Sequence, residues 1–119
     1  MKNHPLKIVR IEVEDILFDP EEASRMLTEA CRRNGIRRFA AGLCDSGDGS
    51  LVIPLETVRE EQIIPESYRF APLPDASFEG VSAELQIRHV HGLSLVGTFR
   101  LNSGQYLLWG LYARFPQKP

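Results

Sequence analysis

Residues 81–115 read VSAELQIRHVHGLSLVGTFRLNSGQYLLWGLYARF, and the fold depends on how this stretch is parsed. Val81, Ala83, Leu85 and Ile87 alternate with Ser82, Glu84, Gln86 and Arg88, the period of two expected of a half-buried strand. At helical spacing the apolar residues divide. Phe78, Val81 and Leu85 fall on one side, while Ala83, Ile87 and Val90 fall on nearly the opposite one. A helix that buries a single face should not look like that.

Turn chemistry points the same way. Val90-His91-Gly92 and Asn102-Ser103-Gly104 are three-residue loops ending in glycine, the residue that accepts positive φ at a bulged hairpin turn. Closing the first loop sets Ile87 opposite Leu95, Leu85 opposite Gly97 and Ala83 opposite Phe99. Closing the second sets Phe99 opposite Leu107, Gly97 opposite Trp109 and Leu95 opposite Leu111. Every pair is odd-numbered, so both turns place one apolar set on one face of a three-stranded meander over 81–115. Gly97 then leaves room for the Trp109 indole.

The even-numbered face of that meander should meet solvent, yet it carries Val96, Arg100, Tyr106, Leu108 and Tyr112. Aromatic and aliphatic side chains with an arginine at the margin are what interface cores enrich. These five residues are therefore the candidate interface, and a closed two-fold homodimer is the expected partner arrangement. Another protein is the alternative occupant. So is a fold-over of the chain's own Pro-rich link, 63–74, or of its C-terminal FPQKP.

Working outward, LKIVRIEVE alternates as a first strand, 6–14. Asp19 as N-cap, Pro20 at the first helical position and Glu22 three residues after the cap open a helix, 20–34. Ala23, Met26, Leu27, Ala30 and Cys31 form its apolar stripe, and Gly35 follows as a natural C′ residue. Residues 37–58 are expected to form a hairpin, Phe39, Ala41 and Leu43 facing Leu51, Ile53 and Leu55 across the turn CDSGDGS. Pro54 cannot donate to a ladder, which places its strand at an edge or its amide position outward. Residues 59–80 carry Pro65, Pro72 and Pro74 and form an extended link with a short strand near Tyr68 to Ala71.

The resulting class is α+β: one N-terminal amphipathic helix on an antiparallel sheet, a two-layer roll within a single domain, 1–119. This is similar in architecture to cystatin-like and hotdog-like folds, although the motifs of neither are present. The alternative is a double βαββ repeat. Gly35 and Gly92 are separated by the same offset as Asp45-Ser46-Gly47 and Asn102-Ser103-Gly104, with residues 81–90 as the second helix.

Composition narrows the partners. A chain of 119 residues, 43% hydrophobic and 25% charged, suits one soluble globular domain. A net charge of -2 lacks the basic balance that a nucleic-acid partner would require. Arg32, Arg33, Arg37 and Arg38 cluster at a helix end, where cations favour the macrodipole. Without an apolar run of membrane-spanning length or a signal-like N-terminus, the chain is expected to be cytoplasmic, with Cys31 and Cys44 reduced.

The candidates for chemistry are sparse. His89 and His91 form H-x-H, but His91 falls in a turn and a third ligand is not identifiable, so no metal is assigned. Asp45 and Asp48 lack calcium-loop spacing and suit a turn. Cys44 beside Asp45 has no assignable base, and Cys31 lies on the helix stripe as a small core residue. No phosphate loop or nucleophile elbow occurs. The expectation is a non-enzymatic binding or assembly module without a cofactor. A small hotdog-like enzyme or small-molecule carrier with a pocket between helix and sheet is the alternative.

Overall fold

The structure, a computed structural model, describes residues 6–35, 37–58, 61, 63–101 and 107–116. In chain order its elements are β1 (Lys7–Glu12), α1 (Val13–Phe18), α2 (Pro20–Arg33), β2 (Arg38–Ala40), β3 (Cys44–Asp45), β4 (Ser50–Thr57), β5 (Ser67–Leu73), α3 (Phe78–Val90), β6 (Leu93–Arg100) and β7 (Leu108–Arg114). The class is α+β with antiparallel pairing throughout. Two sheets form, one ordered β1-β4-β2 with β3 also on β4, the other β5-β7-β6.

The two halves repeat one topology. Apart from the short additional helix α1 in the first half, each runs strand, helix, strand, strand, and in each sheet the last strand lies between the first and the middle one. In the first half the middle strand is broken into β2 and β3. The last helical residues, Arg33 and Val90, stand at the same offset as the last residues of β4 and β7, Thr57 and Arg114. The N-caps Asp19 and Ser77 are one residue further apart, because α2 has 14 residues and α3 has 13. The double βαββ arrangement thus describes the chain, and the one-residue slip inside the helices blurs it in sequence.

Residues 81–90 are therefore not the first strand of a meander. Ser77 accepts the Gly80 N–H at 3.1 Å and caps α3, which ends at His91 before Gly92 at φ 82°. A bulged hairpin turn and a helix C-terminus ask the same positive φ of Gly92, so that glycine could not tell them apart. The alternating pattern belongs to a helix that is apolar on two faces. Val81 and Leu85 are partly covered, while Ala83, Ile87 and Val90 are exposed.

Elsewhere local signals hold, with shifted boundaries. Asp19 Oδ1 accepts the Glu22 N–H at 3.1 Å, and Pro20 opens α2. The first strand stops at Glu12, because the Val13 N–H donates to Gly49 O at 2.9 Å and the chain coils into α1. The hairpin of 37–58 forms with a different register, Ala40 opposite Leu55 and Cys44 opposite Val52. Pro54 explains the interruption. It lies in the central strand β4, not at an edge, and its carbonyl accepts from Ala41 N–H at 2.9 Å. Its missing N–H faces the same side, which is where the neighbouring strand breaks between Ala40 and Cys44.

One core joins both sheets through α2. Leu51, Ile53 and Leu55 of β4 meet Ala23, Leu27 and Cys31 of α2, and the same cluster continues into Phe70, Phe99, Trp109 and Leu111 of the second sheet. Phe70 and Phe99 meet edge to face. In β6–β7, Phe99 stands opposite Trp109 and Gly97 opposite Leu111, with Val96 in a bulge, so the expected register is displaced. A Cβ on Gly97 would meet Leu43 Cβ at 3.1 Å, so this glycine makes room for Leu43 and not for the indole. The expected turn Asn102-Ser103-Gly104 lies outside the described residues. On the opposite face of the second sheet, Ala71, Leu93 and Tyr112 pack against Leu85 of α3.

Candidate functional site

β5 ends its sheet, and an edge strand presents unpaired amides. Here α2 covers them. The Tyr68 N–H donates to Thr28 Oγ1 at 3.0 Å and the Phe70 N–H donates to Ser24 Oγ at 2.9 Å. The next outward position is Pro72, which has no N–H. Each hydroxyl also donates back along its own helix, Ser24 to Pro20 O at 2.6 Å and Thr28 to Ser24 O at 3.0 Å. Two helix side chains thus do for β5 what a neighbouring strand would do.

Along this seam lies a groove of about 700 Å³, walled by Pro20 and Ser24 of α2 and by Tyr68, Phe70, Pro72 and Trp109 of the second sheet. The Trp109 indole N–H is buried without a hydrogen-bond partner. Arg69, Arg88 and Arg114 also line the groove, and the same three line a smaller cavity of about 330 Å³ with Glu84, Ile87 and His91. Arg88 reaches over the Tyr112 ring at 5.5 Å from its centroid and pairs with Glu84 at 3.0 Å. Arg114 donates to His91 O at 3.1 Å, behind the C-terminus of α3. Arg69, opposite Tyr112 on β5, is exposed and has no partner among the described residues.

The candidate interface is dispersed by α3. Tyr112 is 0% exposed beneath this helix, its hydroxyl unpartnered and burial raising its pKa. Val96 sits half-buried in the β6 bulge against the main core. Leu108 is half-buried opposite Arg100, which is exposed, and Tyr106 lies outside the described residues. α3 covers Tyr112, while the β6 bulge turns Val96 to the main core and sets Leu95 opposite Tyr112, so the expected odd and even faces are not continuous along β6.

The titratable candidates are also placed. Cys31 is buried against the Tyr68 hydroxyl, and burial pushes its thiol up to about 11, with the Tyr68 hydrogen bond pulling back. Tyr68 is raised as well, mainly by burial, and its hydroxyl accepts the Ala40 N–H at 2.8 Å. Cys44 is exposed on β3, and the two thiols are free. Asp45 and Asp48 shape their turn. Asp45 accepts the Gly47 N–H at 2.9 Å, Asp48 accepts the Ser50 N–H at 3.1 Å and the Ser46 hydroxyl, and Gly47 and Gly49 take positive φ. Hydrogen bonds from Ser46 and the Ser50 amide lower the Asp48 pKa.

His89 and His91 are exposed at the end of α3, where they do not share a strand face. Among the described residues no three His, Cys, Asp or Glu side chains gather closely enough to hold a metal, and no helix is long and apolar enough to cross a membrane. On the groove wall the hydroxyls of Ser24 and Thr28 are committed to β5, and Ser67, Asp19 and Glu21 line it as well. No family model matches the chain, and no curated protein or solved structure matches it either.

Proposed function

We propose that the protein is a non-enzymatic assembly module that pairs with a second copy of itself through the outer face of α3. The observation that carries this is the two-faced helix. Val81 and Leu85 turn toward the sheet, yet Ala83, Ile87 and Val90 continue at helical spacing on the other side, with Ile87 55% and Val90 77% exposed. A surface helix needs one apolar stripe, and a second one seeks a partner. Within the same chain α2 is engaged from two directions, by the first sheet and by β5.

A second copy fits by charge. α3 carries Glu79 in its first turn and exposes His89 in its last, Arg88 being turned inward over Tyr112. Two copies related by a two-fold axis with their α3 helices antiparallel set Glu79 of each near the C-terminal turn of the other, and their helix dipoles oppose. Light scattering tests this: the wild type is expected to be dimeric at tens of micromolar and Ile87→Glu to be a folded monomer, for an interface residue that carries about 2 kcal/mol or more. A wild type that stays monomeric at high micromolar concentration, or an Ile87→Glu variant that stays dimeric, overturns the proposal. One observation also favours a small-molecule carrier, namely the groove between α2 and β5.

A further inference from the structure

The inward stripe of α3 contains a residue that packing alone does not call for. Val81, Leu85 and Arg88 follow at i, i+4 and i+7, and the third of these is a guanidinium. Counting from the N-caps, the matching residues of α2 are Ala23, Leu27 and Ala30, which all pack against the main core. Arg88 instead lies over the Tyr112 ring, with its side chain 21% exposed. Arg69 stands opposite Tyr112 on β5, and Arg114 stands two residues beyond Tyr112 on β7 itself. Three arginines thus line one small cavity, and Glu84 is the one carboxylate that lines it with them. Gathered like charges repel unless an anion joins them, and a planar fork of donors is suited to carboxylate and phosphate oxygens.

The same three arginines line the larger groove, whose apolar surface is Pro20, Pro72 and Trp109 and whose carboxylates are Asp19 and Glu21 of the α2 N-terminus; the Trp109 indole N–H is buried and lacks a partner. We infer that Arg69, Arg88 and Arg114 bind the acidic group of a small organic anion, a carboxylate or a phosphate monoester, whose apolar body lies in the groove against Pro20, Pro72 and Trp109. Ile87 lines the smaller cavity beside the three arginines, so this site adjoins the proposed dimer contact, and Arg69→Gln tests it without altering the outer stripe of α3.

Trp109 is the single tryptophan of the chain, so its emission reports on the groove. The probes are benzoate, phenyl phosphate and neutral benzyl alcohol, each titrated into the wild type and into Arg69→Gln. Arg69 is exposed and unpartnered among the described residues, so the variant should keep the wild-type melting temperature. The expected result is a saturable change with benzoate, phenyl phosphate or both at a Kd of about 1 mM or tighter. Arg69→Gln should weaken it about tenfold, the loss of one charge-assisted hydrogen bond. Benzoate alone identifies a carboxylate ligand and phenyl phosphate alone a phosphate ester. Equal binding of benzyl alcohol, no saturation by either anion, or an Arg69→Gln variant that binds like the wild type overturns the inference.

Discussion

Replacing Ser24 by alanine probes the seam between helix and strand, because the sign of the effect is diagnostic. On an exposed helix, serine to alanine stabilises by about 0.5 kcal/mol through helix propensity alone. Ser24 is 6% exposed, and its hydroxyl receives the Phe70 N–H in a buried hydrogen bond of 2.9 Å. Alanine leaves that amide buried and unpaired, which costs about 1–3 kcal/mol. The propensity gain offsets part of this, so Ser24→Ala is expected to lose about 1–2 kcal/mol. For a domain of this size the melting temperature falls by roughly 3–8 °C. Urea unfolding monitored by circular dichroism measures the loss, and native-state hydrogen exchange locates it at the Phe70 amide. Ser82→Ala in α3 is the control, since Ser82 makes no side-chain hydrogen bond among the described residues. It should be neutral or slightly stabilising. A Ser24→Ala variant as stable as the wild type, with the Phe70 amide equally protected, would refute the account of how β5 is closed.

Two further outcomes are expected. Asp19→Ala removes the acceptor for the Glu22 N–H and should lower stability by about 1 kcal/mol in the same urea assay; an unchanged midpoint would mean that the cap contributes nothing. The thiols should differ sharply toward a soluble disulfide reagent near neutral pH. Cys44 is exposed and should react at once, whereas Cys31, buried and with its thiol pushed up to about 11, should react only after urea is added. Rapid titration of both thiols in the native protein would contradict the packing of Cys31 between α2 and Tyr68.

Local chemistry made α2 legible. Asp19, Pro20 and the stripe through Cys31 all lie within one element, and nothing distant was needed to interpret them. Leu51, Ile53 and Leu55 were equally plain, because a strand buried on one face alternates. α3 was not, since its inward and outward apolar residues add up to the alternation of a strand. Taken as a strand, residues 81–90 leave Tyr112 uncovered, whereas as a helix they pack Leu85 against it. The seam was hidden for a different reason. Ser24 and Thr28 are ordinary helix residues until β5 brings to them its amides, 46 and 40 positions away. Arg69, Arg88 and Arg114 come from three elements, and the pairing of β5 with β7 beneath α3 is what assembles them.

The two halves differ in how far their helices serve packing. Both build the same sheet around the same central strand, and both lay a helix across it. In the first half the helix buries Ala23, Leu27 and Cys31, and its two inward hydroxyls close the edge of the next sheet. In the second half no residue of the helix is fully buried. Its inner side admits an arginine over an aromatic ring, and its outer side exposes Ile87 and Val90. A helix kept for stability alone would gain from an apolar residue in place of Arg88 and polar ones in place of Ile87 and Val90. The departures run opposite to that gain on both faces of the same helix, whereas α2 follows the rule on its buried stripe. α3 is thus the element on which the two proposed contacts converge, the anion beneath it and the second copy above.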